Sequence, residues 1–577
     1  MANIDPSALA VTATFGTPRV AMTAALSQAV SVALAPTANN SAAVVVSEFS
    51  HASIAEPPAP VVYPDAASPV IYTSANTGYD GDPNAAGAPA LVDNAAIGDL
   101  FIRDSNDRLY KKNTASAGSW QLVDDDGVTT AAMTLHVESA GSDATADGSV
   151  SLPFATIQAA LDFVPKRIKH PVVIEIGAGN FAGFSLNSFA FMKPASSAAG
   201  AYLTIKGTYV AATAATGSSS GTATSGGAGT AGVSGGTLTK TSAGWTVNNF
   251  AGKLLHTIAG TGSAQYRHIV SNTADTLTVI GTWTAPANGT TFEILDYGAV
   301  VNAAISRPAT YLGAESANSQ AVLIYGNTGD YSPSALTGPL IVFDGLKIAP
   351  STGIGIVAFG GSSVLVQRSH ISTGSTSVGV TAQEGTNFIF LQNLIENSST
   401  ATVASFSGAV RHTNTWFKGG GIGVSLTGTK GSNLNSNYFS GQSATGTGLL
   451  LSQGTASVQF NSNIMVGGGS TSTAVKVTSA TATTTYSSVS MQGGTFSGYG
   501  TGISVVGPQF VRIDAVLGTG NTTGVAVSLG ARAHVASGTT ITGTTEVNID
   551  GVASDYATMR AASPKLITNT YGTIFHE

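Results

Sequence analysis

The residues of this 577-residue chain that could do chemistry are few, because Asp, Glu, Lys and Arg together make up only 10% of it; an ordinary soluble domain carries roughly 25%. Carboxylates are the first to consider. Hydrolysis of a glycosidic bond needs two of them about 5 to 10 Å apart, one to deliver a proton and one to attack or to activate water. Asp344 in "VFDGLKI", Glu384 and Glu396 are the weak candidates for such a pair. Asp344 is isolated in a strand-to-turn sequence. Glu384 and Glu396 lie half a repeat apart and are expected on different faces. Between Glu396 and Asp514 no acidic residue occurs at all. The expectation is therefore no catalytic set within one chain, with a pair assembled across a subunit interface left open.

Metal and cofactor chemistry finds no better footing. Asp80, Asp82 and Asn84 in "YDGDPN" have calcium-loop spacing, but the Gly and the distant Glu that complete such a loop are missing. The "DDDG" run at Asp124 to Gly127 is another polar cluster, and both read as solvated turns. Histidines are scattered, with His256 and His268 the nearest pair on matching strands, and they form no ligand set. There is no cysteine, so disulfides and thiolate sites are excluded. Neither a phosphate-binding loop nor a Gly-x-Ser-x-Gly elbow is present. No metal and no cofactor are expected.

Charge and hydropathy limit the partners. A net charge of -7 without a basic stripe argues against nucleic acid. No apolar run approaches the roughly 20 residues that cross a bilayer, so no membrane insertion is expected. The start "MANIDPSALAV" lacks a basic leader, and no signal peptide is read there.

What must position any site is a repeat. From about residue 340 to 545, "LVQRSHIST", "FLQNLIENS", "RHTNTWFKG", "NLNSNYFSG", "QFNSNIMVG", "SMQGGTFSG" and "RIDAVLGTG" recur every 21 to 31 residues or so. Aligned, they place Ile371, Ile395, Trp416, Phe439, Met465, Phe496 and Leu517 in one apolar column. Two positions earlier stands a polar column of Ser369, Asn393, Asn414, Asn437, Asn463, Gly494 and Ala515. A second apolar strand ("GIGIVAF", "SVGVTAQ", "GIGVSLT") lies between. That period suits one turn of a three-faced parallel β-coil, with coils stacked roughly 4.8 Å apart. Asn fits a tight turn, where it tolerates left-handed backbone and its amide can bond the next coil. On this alignment Trp416 fills the core, while its neighbours Phe417 and Tyr438 face outward as candidate glycan contacts.

Upstream, "PFATIQAALDFV" sets Phe154, Ile157, Ala160, Leu161 and Val164 on one apolar helical face of about three turns. Residues 97 to 123 read as a β-meander. Residues 211 to 239 are nearly pure Ala, Gly, Ser and Thr and read as a flexible tract. After them, "GWTVNNFAGKLLHTIAG" and "AQYRHIVSNTADTLTVIGTW" read as a small β-domain inserted in one coil. The expected organisation is an extended arm with a Pro-rich linker at 1–75, a small β-module at 76–130, and the cap and first coils at 131–210. The tract and insert follow at 211–300, the main coil stack at 301–550 and a closing segment at 551–577.

The short module, with its Gly-Asp-aromatic start, Leu-Tyr-Lys middle and closing Trp, resembles one found in phage tail-fibre proteins. The Thr-Ile-Gln helix followed by strand, Gly-containing turn and strand resembles the N-terminal cap of right-handed parallel β-helices (the pectin-lyase-like fold), as in pectin esterases and phage tailspikes. "SQAVLIYGN" and "NFIFLQN" resemble pectin-esterase strands. The esterase's catalytic Asp position is Asn387 here, however, and an amide cannot act as nucleophile or base. The resemblance to phage tailspikes and tail fibres implies an all-β, right-handed parallel β-helix in an external virion appendage. It further implies a homotrimer, attachment to phage tail or head proteins through residues 1–130, and binding of host surface polysaccharide. A polysaccharide depolymerase (glycoside hydrolase or lyase), a head fibre or decoration protein, and a bacterial adhesin are the alternatives.

Overall fold

The computed structural model describes residues 34–36 and 42–44, short segments between 71 and 129, and most of 131–549. Internal stretches at 193–201, 306–318, 326, 330–339, 406–407, 430, 453–457, 479–487, 530 and 537–538 lie outside the description. So does the tail beyond 549, apart from 552–554, 566–569 and 572–576. The polar clusters at Asp80–Asn84 and Asp124–Gly127 therefore fall outside the described residues.

Two large sheets carry the solenoid. One has fourteen strands, parallel throughout except for its last pairing, and runs from Met133–Val137 to Leu566–Asn569, which lies antiparallel to Gly572–His576. The other has nineteen strands built as two ladders, which merge where Ile464–Thr478, Thr495–Val506 and Leu517–Ser528 run through both. A typical coil thus has three strands, such as Ile341–Asp344, Lys347–Ile348 and Ile354–Ala358. Alternate residues of each strand point inward, and Val364, Val366, Phe388, Phe390, Val410 and Leu434 are fully buried in a single continuous core. This is the parallel β-helix that the repeat predicts.

The strand registers correct one part of the alignment. The inner column runs Ile371, Ile395, Phe417, Phe439, Met465, Phe496, Gly518, so Phe417 and not Trp416 occupies it. Phe417 is fully buried and stacks on Phe439 with ring centroids 4.5 Å apart. Trp416 belongs to the outward column His370, Leu394, Trp416, Tyr438, Ile464, Thr495, Leu517. With a side-chain period of two, a slip of one residue turns every side chain to the other face. Phe417 is thereby removed as a glycan contact.

The polar column moves with it. Asn393, Asn437 and Asn463 are buried at the turn, and their Oδ1 atoms accept from the backbone N–H groups of Ser369, Thr415 and Asn437, each at 2.9 Å. Their Nδ2 groups donate to Val366 O (2.8 Å), His412 O (3.1 Å) and Leu434 O (2.8 Å). Each side chain therefore ties its coil to the preceding one. The left-handed residue is the one before: Arg368, Gln392, Asn414, Ser436, Ser462 and Ala515 have φ between 48° and 59°. A side chain in that region costs roughly 1–2 kcal/mol, which the paired amide bonds offset. At the first described coils, Asn327 does the same for Phe189 N and Leu186 O.

Near the start, helix Ile157–Phe163 is N-capped by Thr156, whose hydroxyl accepts from Ala159 N. Phe154, Ile157, Ala160, Leu161 and Val164 are all buried in the core. Strands Leu100–Arg103, Arg108–Lys112 and Trp120–Leu122 form an antiparallel meander over Val92, Phe101, Tyr110 and Trp120, and Ile71–Thr73 adds a fourth strand in parallel.

Between strands Leu203–Gly207 and Ala299–Val301 the chain leaves the coil at the corner joining the two large sheets and builds a separate eight-stranded sheet. The tract at 211–239, expected to be flexible, supplies three of its strands, Ser220–Thr222, Ser225–Gly227 and Thr237–Thr239. Its small side chains allow close approach to neighbours: a Cβ on Gly235 would stand 1.9 Å from Val279 O. This inserted domain lies along the same corner of the later coils. Ile280 packs on Leu394 and Trp416, a Cβ on Gly281 would meet Asn414 Oδ1 at 2.4 Å, and one on Gly232 would meet Gly494 Cα at 2.5 Å.

Candidate functional site

Four strands of the fourteen-stranded sheet, "VVIEI", "LTIKG", "IVFD" and "SVLVQ", stack so that Glu175, Lys206, Asp344 and Gln367 form one outward row beside the inserted domain. Lys206 Nζ donates to Glu175 Oε1 at 3.1 Å, and His136 Nδ1 stands 3.7 Å from Oε2. A groove of about 270 Å³ opens here, lined by Glu175, Lys206, Gly207, Thr208 and Tyr209.

Asp344, beside Lys206 on the next strand of the row, is gripped from three sides. Arg368 donates to it through Nε (2.9 Å) and Nη2, Gln367 through Nε2 (3.1 Å), and Tyr209 approaches with its hydroxyl at 3.5 Å. The Arg368 guanidinium also lies 4.8 Å over the ring of Tyr266, which stacks on His256 at 4.0 Å. His256 in turn bonds Glu293 at 2.8 Å. Burial first, and then the Asp344 charge, push the Tyr209 hydroxyl well above the usual tyrosine range, so it stays protonated.

Deeper in the junction, His370 Nε2 meets Glu396 Oε1 at 2.9 Å and Lys418 Nζ donates to Oε2 at 3.0 Å. Burial alone would raise the Glu396 carboxyl, but the hydrogen bonds and charges of His370 and Lys418 outweigh it and hold the group at about 2. His268 is wholly buried, bonds Tyr297 Oη at 2.8 Å, and is pushed down to about 3 by that burial.

The candidates named from sequence separate clearly. Glu384 is exposed in a left-handed turn, with strand Asn387–Leu391 between it and Glu396. Asp344 and Glu396 both lie near the inserted domain, yet each is engaged by its own cations. A glycosidase acid must hold a proton near neutral pH, which a carboxyl at about 2 does not. Tyr438 is half-buried and packs edge-on to Trp416 at 6.0 Å, beside Ile280 of the insert. His256 and His268 do not converge, and among the described residues no group of three potential metal ligands occurs.

Glu175, Lys206, Tyr209, Arg368 and His370 were missed by sequence reasoning. The signal was present: "VVIEI", "LTIKG" and "IVFDG" share one pattern, but two of these strands precede the stretch in which the repeat is legible and the insert separates them from the third.

No protein-family model matches the chain, and no curated protein matches it. Among solved structures it is similar to XylC in complex with xylose (10% identity, TM-score 0.27, 72% of this chain and 70% of that one). It is also similar to the tailspike protein gp49 from Pseudomonas phage LKA1 (11%, 0.21, 75% and 71%). A GH136 lacto-N-biosidase from Eubacterium ramulus is a third (9%, 0.28, 73% and 68%). The likeness is one of architecture, which the strand registers establish by themselves.

Proposed function

We propose that the chain is a rod-like virion appendage of tailspike or fibre type that binds host surface glycans through the outer faces of its β-helix and does not cleave them. The observation that supports this reading is the state of its carboxylates. Beside the insert, Asp344 is held by Arg368 and Glu396 by His370 with Lys418, while Glu175 pairs with Lys206 in a contact open to solvent. The stretch from there to Asp514 contains no acidic residue. Sugar hydroxyls can be bound by the amides and hydroxyls that line those coils, but a glycosidic bond has nothing there to protonate it. In this reading residues 1–130 attach the rod to the phage tail or head, and three copies associate.

Purified chain mixed with polysaccharide from the host surface should retain it without releasing reducing ends. Release of oligosaccharides would overturn the reading. A second reading, cleavage, draws on one observation: Glu175 and Asp344 share a face two strand spacings apart, roughly 10 Å. If reducing ends appear, Glu175→Gln should abolish them.

A further inference from the structure

The charge of this chain is segregated. Between Glu396 and Asp514 stand Arg411, Lys418, Lys430, Lys476 and Arg512 and no acidic residue, although the whole chain carries a net charge of -7. Two of these five share one outward column of the fourteen-stranded sheet, which reads Arg411, Asn433, Gln459, Ser490, Arg512 in consecutive coils. The column beside it reads Thr413, Asn435, Asn461, Gln492, Asp514. Arg411, Gln459, Ser490, Gln492 and Arg512 are exposed.

Four strand spacings set the two arginines about 19 Å apart. No acidic side chain among the described residues pairs with Arg411, and Arg512 has only Asp514, at 3.9 Å, in a contact open to solvent. Exposed pairs of that kind contribute little, so both guanidinium groups can turn to a ligand. Between them lies a flat strip of amides and hydroxyls, which both donate to and accept from sugar hydroxyls. The guanidinium fork matches a carboxylate with two parallel hydrogen bonds. A neutral glycan would leave the arginines unused. Nucleic acid, with a charge every 1.7 Å or so of duplex, would need a far denser row of cations.

We infer that the strip from Arg411 to Arg512 binds an acidic polysaccharide, one whose carboxylates recur along the chain at intervals of a few sugars. Arg411 and Arg512 anchor the carboxylates, and Asn433, Gln459 and Ser490 contact the hydroxyls between. This deepens the glycan-binding reading and rests on it.

The test uses the full chain and three immobilised probes: alginate (a polyuronate), neutral dextran and duplex DNA. Alginate should capture the protein in a salt-sensitive manner, and dextran and DNA should not. R411Q and R512Q should each weaken alginate binding about tenfold, and K476Q, at an exposed position of the other large sheet, should leave it unchanged. Unaltered circular dichroism would show that the variants fold. Equal capture by dextran or DNA, an R411Q/R512Q double variant that binds as well as the parent, or an equal loss in K476Q would overturn the inference. Capture by dextran without alginate sinks only this inference; capture by neither probe nor by host surface polysaccharide sinks the glycan-binding reading too.

Discussion

The coils up to Glu396 and the coils after it solve the same problem with different chemistry on the fourteen-stranded sheet. Beside the insert, outward side chains are charged and aromatic and are used up on one another: Asp344 with Arg368, Arg368 over Tyr266, Glu396 with His370 and Lys418. Beyond Glu396 the outward side chains of the fourteen-stranded sheet are mostly amides, hydroxyls and well-separated cations, and coil is tied to coil by buried asparagines. The backbone winds alike in both. A solenoid therefore does not need a particular surface to stack, and a surface can be given over to a covering domain or left open to a partner.

The largest expected effect lies in the core that both regions share. Phe417→Ala should destabilise the protein by about 3–5 kcal/mol, seen as a lower denaturant midpoint. A change under 1 kcal/mol or so would mean that the outward assignment was right after all. Asn437→Ala should follow at about 3 kcal/mol, because Thr415 N–H and His412 C=O lose their partners in a dry interior; this probes the coils after Glu396. Arg368→Ala probes the covered coils. Asp344 would be left under the insert without its cation, at a cost of about 2 kcal/mol since the pair is partly solvated, and Tyr209–Tyr297 should be nicked sooner by protease.

The smallest effect at neutral pH belongs to His412, which stacks on Phe390 at 4.3 Å with no hydrogen-bond partner for either ring nitrogen among the described residues. Burial pushes it down to about 3, as it does His268. Below the unfolded histidine value of roughly 6.5, the unfolded chain takes up protons that the folded one refuses. His412 and His268 therefore each make stability fall by up to about 1.4 kcal/mol per pH unit between 6.5 and 3. His412→Phe should remove one such share and leave stability at pH 8 unchanged or raised. Glu396 joins lower down: its contribution is present above about 4.5 and is lost towards pH 2.

The solenoid was legible because its inward side chains recur. Ile371, Ile395 and Phe439 were aligned correctly by apolar pattern alone. Trp416 was misplaced because "TWF" offers two adjacent aromatics and only the pairing Asn393 O to Trp416 N tells which of them turns inward. The same slip put Asn414 in the ladder, where Thr415 stands and donates its backbone N–H to Oδ1 of Asn437. The ion-paired row was illegible for a different reason. Its contacts join residues 23 to 159 positions apart, the longest of them across the insert, and no local pattern spans that distance. The seat of the insert on the coils was equally hidden, since nothing in "GTAGVSGG" announces a neighbour at Gly494.

That seat has a further consequence. A stack in which each storey touches only its neighbours melts piecemeal from its ends. Here a strap leaves the chain before Asp344 and comes down as far along as Ser462 and Gly494. No storey in between can open without peeling the strap away. The middle of the solenoid should therefore hold or fail as a single block, with the storeys after Gly494 free to fray.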